Sequence, residues 1–131
     1  MKAVIVEDEL IAAQNLQRVI GQVAADIQVI DVLQSVEESV EWFSLNPAPD
    51  LVFMDIHLAD GSSFGIFEKV QITSPVIFTT AYDEYALKAF EVNSIDYLLK
   101  PINVRNFERA ITKYRNLVQD KNTNTDAISN L

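Results

Sequence analysis

The chain has 131 residues, close to the commonest size of a single domain; at 49% hydrophobic and 22% charged it can bury one continuous core and is too apolar for disorder. It contains no cysteine, which excludes disulfides, thiolate metal centres and cysteine nucleophiles and leaves the cytoplasm as the expected compartment. Its net charge of −9 repels nucleic-acid phosphates, and no apolar run approaches the ~18 residues of a membrane span, so neither DNA nor a membrane is an expected direct partner.

Short apolar runs alternate with amphipathic stretches. Ala3-Val4-Ile5-Val6 is β-prone and uninterrupted, as in a strand buried on both faces. Glu7-Asp8-Glu9 follows, and then a helical stretch in which Ala13, Leu16, Ile20 and Val23 recur at three- and four-residue steps. Residues 27–33, rich in Val and Ile, predict a second strand, and residues 36–45 a second helix. Asn46-Pro47-Ala48-Pro49 stops that helix, because proline cannot continue it and restricts the residue before it. Leu51-Val52-Phe53-Met54 predicts a third strand that ends at Asp55. A loop with Gly61, Ser62 and Ser63 leads to a short helix over 64–70. A fourth strand is predicted over 75–79, a helix over 83–92 and a fifth strand over 95–99. Asn103 suits the N-cap of a last helix, with Val104, Phe107, Ile111, Tyr114 and Val118 on one apolar stripe. From about Lys121 the chain is polar and aperiodic, and residues 120–131 read as a tail or the start of a linker after a domain of residues 1–119. Five strands alternating with five helices imply an α/β fold with a parallel sheet covered on both faces. The charge is uneven. Residues 1–99 hold 16 acidic and 4 basic side chains, whereas residues 100–121 hold 2 acidic and 6 basic ones, so the last helix is a basic element on an acidic body.

In an open α/β sheet, ligands collect outside the carboxyl ends of the strands. Those ends carry Glu7 and Asp8 after the first strand, Asp55 at the third, Thr79-Thr80-Ala81 at the fourth and Lys100-Pro101 at the fifth. Three adjacent carboxylates repel one another, and a hard cation such as Mg²⁺, which takes oxygen ligands, relieves that repulsion. A cation so placed favours in-line phosphoryl transfer, Asp55 is a competent carboxylate nucleophile, and Lys100 and the Thr80 hydroxyl can hold phosphoryl oxygens. Each residue also has a plainer use. The acidic run suits a helix start, Asp55 a turn, Thr80 a cap and Lys100 a solvated loop. Coincidence does not account for all of them at one edge with complementary chemistry.

Four segments, in order and at the right spacing, resemble the receiver domain of bacterial two-component response regulators: Val4-Ile5-Val6-Glu7-Asp8-Glu9, Leu51-Val52-Phe53-Met54-Asp55-Ile56, Val76-Ile77-Phe78-Thr79-Thr80-Ala81-Tyr82 and Asp96-Tyr97-Leu98-Leu99-Lys100-Pro101. The resemblance covers residues 2 to about 119. It implies a flavodoxin-like, doubly wound five-stranded parallel sheet in the order 2-1-3-4-5 with five helices. It also implies that Asp55 is the phosphoacceptor and that Mg²⁺ is held by Glu7, Asp8, Asp55 and the His57 backbone carbonyl. Thr80, the Ala81 backbone and Lys100 would contact the phosphoryl group. Thr80 and Tyr97 would form the switch, and the bond before Pro101 would be cis. A sensor histidine kinase would be the phosphoryl donor, and the chain would not be an enzyme beyond its own phosphorylation and dephosphorylation. The run from Ala81 to Phe90 resembles the LytTR-type subgroup, whose members carry a separate DNA-binding domain after the receiver, so a longer transcription regulator is expected, binding DNA only through that domain. The acidic pair is Glu-Asp where many receivers have Asp-Asp, and Ala59 stands where a proline is usual.

Glu91 and Asp96, with Arg105, Arg109 and Lys113, put opposite charges on the face formed by helix 83–92, strand 95–99 and the last helix, which predicts a symmetric dimer on phosphorylation. Competing classes fit less well. A phosphatase of the haloacid dehalogenase type needs an acid two residues after the nucleophile, where His57 stands. A flavodoxin-like cofactor site needs a hydroxyl- and glycine-rich loop where Glu7-Asp8-Glu9 would repel phosphate. A phosphohistidine carrier needs a helical histidine, and His57 falls in a predicted loop. A receiver-like module that no longer uses phosphorylation is the remaining alternative.

Overall fold

In the computed structural model, residues 1–81 and 94–129 are described. The elements run β1 (Lys2–Val6), α1 (Leu10–Val23), β2 (Gln28–Leu33), α2 (Val36–Leu45), β3 (Leu51–Asp55), β4 (His57–Leu58), β5 (Gly61–Ser62), α3 (Phe64–Lys69), β6 (Val76–Thr80), β7 (Ser94–Leu99) and a C-terminal helix (Val104–Ser129). The main sheet has the order β2-β1-β3-β6-β7, and each neighbouring pair is parallel. This is the doubly wound order that the resemblance to receiver domains implies. The predicted helix over 83–92 lies outside the described residues.

Side chains of successive strand residues point to opposite faces, so a strand buried on both sides feeds two cores. Ala3 and Ile5 of β1, Leu51 and Phe53 of β3, Ile77 of β6 and Leu98 of β7 join Leu16, Val19 and Ile20 of α1 and Phe107, Ala110, Ile111 and Tyr114 of the C-terminal helix. Val4, Val6, Val52, Met54, Val76 and Phe78 face the other way, with Val36 of α2 and Ile66 of α3. Phe53 stacks on Phe107 with ring centroids 5.8 Å apart, which ties the central strand to the last helix. At the amino end of the sheet, the Tyr114 hydroxyl donates to the Asp50 carbonyl, and the Ser74 hydroxyl to that of Pro49.

Asn103 caps the C-terminal helix as predicted, its side-chain oxygen accepting the Asn106 N–H at 2.8 Å. The apolar stripe is shorter than the periodicity suggests. Phe107, Ile111 and Tyr114 are buried, but Val104 and Val118, at the two ends, are exposed. Helical backbone also continues to Ser129, through the stretch read as an aperiodic tail. No glycine or proline interrupts residues 104–129, so nothing local stops the hydrogen-bond ladder.

The loop after β3 is more ordered than predicted. His57–Leu58 and Gly61–Ser62 form a two-stranded antiparallel hairpin. Gly61 has φ of 141°, a conformation that side-chain-bearing residues rarely adopt, which explains a glycine directly after the turn. Asp60, in that turn, reaches across to helix α2. Its carboxylate accepts the N–H of Val36 at 2.8 Å and of Glu37 at 3.1 Å, while the Ser35 hydroxyl accepts that of Glu38 at 3.0 Å. Three donors that a helix start leaves without intrahelical partners are thereby satisfied.

The Val36 N–H, opposed by partial desolvation and helped by that of Glu37, holds the Asp60 carboxyl below the ordinary 3.8. A lowered acid pKa contributes stability above the unfolded value and loses it as pH falls through the folded one. Urea titrations should therefore show Asp60→Ala less stable than the parent at neutral pH. The gap should shrink as pH drops below the usual aspartate range.

Candidate functional site

The parallel strands deliver the predicted residues to one edge. Glu7 directly follows β1 and is buried. Its N–H donates to the Leu33 carbonyl at the end of β2 (2.8 Å), and its carboxylate accepts the Glu9 N–H at 3.2 Å. Glu9 is the N-cap position of α1, so the acidic run precedes the helix and does not form its first turn. Asp55 ends β3, beside Thr79 of β6, and is also buried. Asp8 is half-buried. Thr80 ends β6 and is buried, with its carbonyl accepting the Lys100 N–H at 2.7 Å. Ala81 follows it and is exposed. The Lys100-Pro101 peptide bond is cis.

Lys100 sends its ammonium into the acidic edge. It pairs with Glu7 Oε1 and lies 3.0 Å from Asp55 Oδ2. Burial pushes the Glu7 carboxyl up from 4.5 to about 7; Lys100 pulls it back, and the neighbouring Asp55 adds to the rise. Burial alone would lower Lys100, but its bonds to Glu7 and Asp55 outweigh that and hold it above its usual value. Two buried carboxylates thus share one ammonium, and Asp8 adds a third acid. Oxygens of Glu7, Asp8 and Asp55 lie within 4.8 Å of one another, a donor set and span that fit a hard divalent cation. The site opens into a cavity of about 810 Å³ whose walls include Ile5, Phe53 and Ile102. The Asn15 amide of α1 donates to the Ile102 carbonyl at 3.3 Å, bracing the turn after Lys100.

His57 is exposed on the hairpin, and its N–H donates to Asp55 Oδ1 at 3.4 Å. Tyr97 of β7 is half-buried beside the α2/α3-side core. Asp96 pairs with Arg109 within the chain at 3.5 Å. Arg105 is exposed on the same helix, as is Lys113, and Glu91 lies outside the described residues. Sequence reasoning missed two side chains that brace segments near the site, Asn15 on the turn after Lys100 and Asp60 on the start of α2. Asn15 carries no sequence signal. The Asp60-Gly61 pair does, since an Asp-Gly dipeptide after β-prone residues marks a hairpin.

Comparison with known proteins agrees with this fold. The family model described as "Response regulator receiver domain" matches residues 3–112. The chain belongs to this family. Receiver domains serve phosphorylation-dependent, two-component signalling, and the kinship within the family is the expected one. The sensory transduction protein LytR of Staphylococcus haemolyticus (strain JCSC1435) is 37% identical over 125 residues, 93% of this chain and 48% of that protein. The transcriptional regulatory protein LytR of Staphylococcus aureus (strain N315) is 34% identical, covering 99% of this chain and 53% of its own length. This receiver domain thus spans about half the length of the curated relatives it matches. Among solved structures, the response regulatory domain of protein mrkE from Klebsiella pneumoniae superposes with a TM-score of 0.76 at 27% identity, covering 92% of this chain and 99% of that one. No helix among the described residues is long and apolar enough to cross a membrane.

Lys100 is the protein's own counter-charge to two buried acids. Breaking a buried pair by removing one partner leaves uncompensated charge, at a cost of about 3 kcal/mol. Lys100→Ala should lower the thermal midpoint of the metal-free protein, and Mg²⁺ should restore part of the loss in differential scanning calorimetry.

Proposed function

We propose that this receiver domain is a switch in which Asp55 takes a phosphoryl group from a sensor histidine kinase, with Mg²⁺ held by Glu7, Asp8, Asp55 and the His57 backbone carbonyl. The observation that carries this reading is the placing of Asp55: buried at a strand end, 3.0 Å from an ammonium and within ligand reach of two further acids. The Asp55 carboxylate is the nucleophile. When bound, the cation neutralises charge on the transferring group. Lys100 holds one phosphoryl oxygen as a point charge, and the Thr80 hydroxyl and Ala81 backbone hold others. The chain catalyses nothing beyond gaining and losing this group.

A phosphoryl group carries roughly −1.5 to −2 charges at neutral pH, enough to draw Thr80 toward it. Thr80 pairs in register with Leu99, two residues from Tyr97 on the adjoining strand, so its movement frees space into which the Tyr97 ring turns. The face bearing Tyr97, Asp96, Arg105, Arg109 and Lys113 is thereby remodelled, and Glu91 belongs to it by sequence. Dimerisation through that face exchanges the Asp96–Arg109 pair for its equivalent across the two-fold axis. Exposed ion pairs contribute only ~0–1 kcal/mol each, so apolar contacts must supply the rest. The regulated output is transcription through a DNA-binding domain following this one, in keeping with the name of the Staphylococcus aureus relative and with the half of its length that lies outside the match. The protein works in the cytoplasm, where the kinase delivers its phosphoryl group.

Incubation with acetyl phosphate and Mg²⁺ should add the mass of one phosphoryl group by intact-protein mass spectrometry. Asp55→Asn should abolish the gain; no gain in the parent, or a gain that persists in Asp55→Asn, would overturn the reading in favour of a phosphorylation-independent module. Thr80→Ala should still accept the group but fail to dimerise. Sedimentation with beryllofluoride checks this, and an unchanged monomer mass in the parent counts against the dimer.

A further inference from the structure

Glu7 and Asp55 reach the acidic edge on different strands, and each leans on a neighbouring backbone segment. The Glu7 N–H is bound by the Leu33 carbonyl, three residues before helix α2 opens at Val36. Asp55 accepts the His57 N–H, at the base of the β4–β5 hairpin. The hairpin is closed below by the Ser63 N–H donating to the Ile56 carbonyl at 2.9 Å. The two supports belong to segments more than twenty residues apart. Asp60 joins them, since its two carboxylate oxygens bind the first two N–H groups of α2 from the hairpin turn. A ring of hydrogen bonds and short backbone spans then runs from Glu7 through Leu33, the start of α2, Asp60, the hairpin and His57 to Asp55.

We infer that Asp60 is a positioning residue for the cation site: by clamping the hairpin to helix α2 it holds the backbone that orients Asp55 against the one that orients Glu7. Asp60 touches neither carboxylate. It acts through His57 and Leu33, as outer groups commonly orient metal ligands. The carboxylate is suited to the task because its two oxygens meet two adjacent donors at once, which fixes the hairpin in angle as well as distance. The inference rests on the reading of Glu7, Asp8 and Asp55 as a Mg²⁺ site.

Ser35 supplies the control. Its hydroxyl caps the same helix through the Glu38 N–H but lies before α2 and has no bond to the hairpin. Isothermal titration with Mg²⁺ alone should show Asp60→Ala binding roughly tenfold more weakly than the parent. Asp60→Asn keeps one acceptor oxygen, folds more securely and should fall between the two. Ser35→Ala should lower the melting temperature without changing Mg²⁺ affinity. Parent affinity in both Asp60 variants would sink the clamp while leaving the cation site standing, as would an equal loss in Ser35→Ala, which would mean general fraying of α2. Absence of Mg²⁺ binding by the parent would overturn the site reading and the clamp with it.

Discussion

Two buried carboxylates that share one ammonium set the terms for the rest of this receiver domain. Glu7 and Asp55 have left water, and among the described residues Lys100 alone pairs with them, so the edge carries an excess of negative charge even before Asp8 is counted. Such an arrangement costs stability, and its oxygens are of the type and spacing that fit a divalent cation. A fold maintains it only if the surrounding structure is stable enough to hold both acids in place.

The parallel sheet meets that demand. Strands β1, β3 and β6 are buried on both faces, so their alternating residues feed two cores at once and lock register. Large apolar side chains contribute about 1.5–3 kcal/mol each when fully buried. Because the strands are parallel, their carboxyl ends share one edge, and the residues just beyond them meet regardless of their separation in sequence. Glu7, Asp55 and Thr80 arrive by that rule, and Lys100 arrives by strand β7 with its N–H fixed to Thr80.

Around this frame, backbone and loop contacts add to the side-chain pairing at the site. Leu33 holds the Glu7 peptide, His57 meets the Asp55 carboxylate, and Asn15 braces the turn beyond Lys100. Signalling through such a site follows from its economy of parts. Under the proposal above, a phosphoryl group on Asp55 would meet the same ammonium that Glu7 and Asp55 already engage.

Much of this was determined by the sequence alone. Uninterrupted β-prone runs specify strands buried on both faces, Pro47 and Pro49 end α2, Asn103 opens the last helix, and the acidic and basic residues at strand ends predict the site, because these signals are local or follow from strand direction. The tertiary structure decided what depends on distant segments. The hairpin after Asp55 is local, but its two-residue strands are too short to show a period and only the Asp60-Gly61 pair marks it in the sequence. That Asp60 caps α2 depends on two elements meeting in space. That Glu7 is driven toward neutrality depends on burial, which its place in a Glu-Asp-Glu run would not suggest. Val104 and Val118 share a stripe with Phe107 but, at the two ends of that stripe, not its burial.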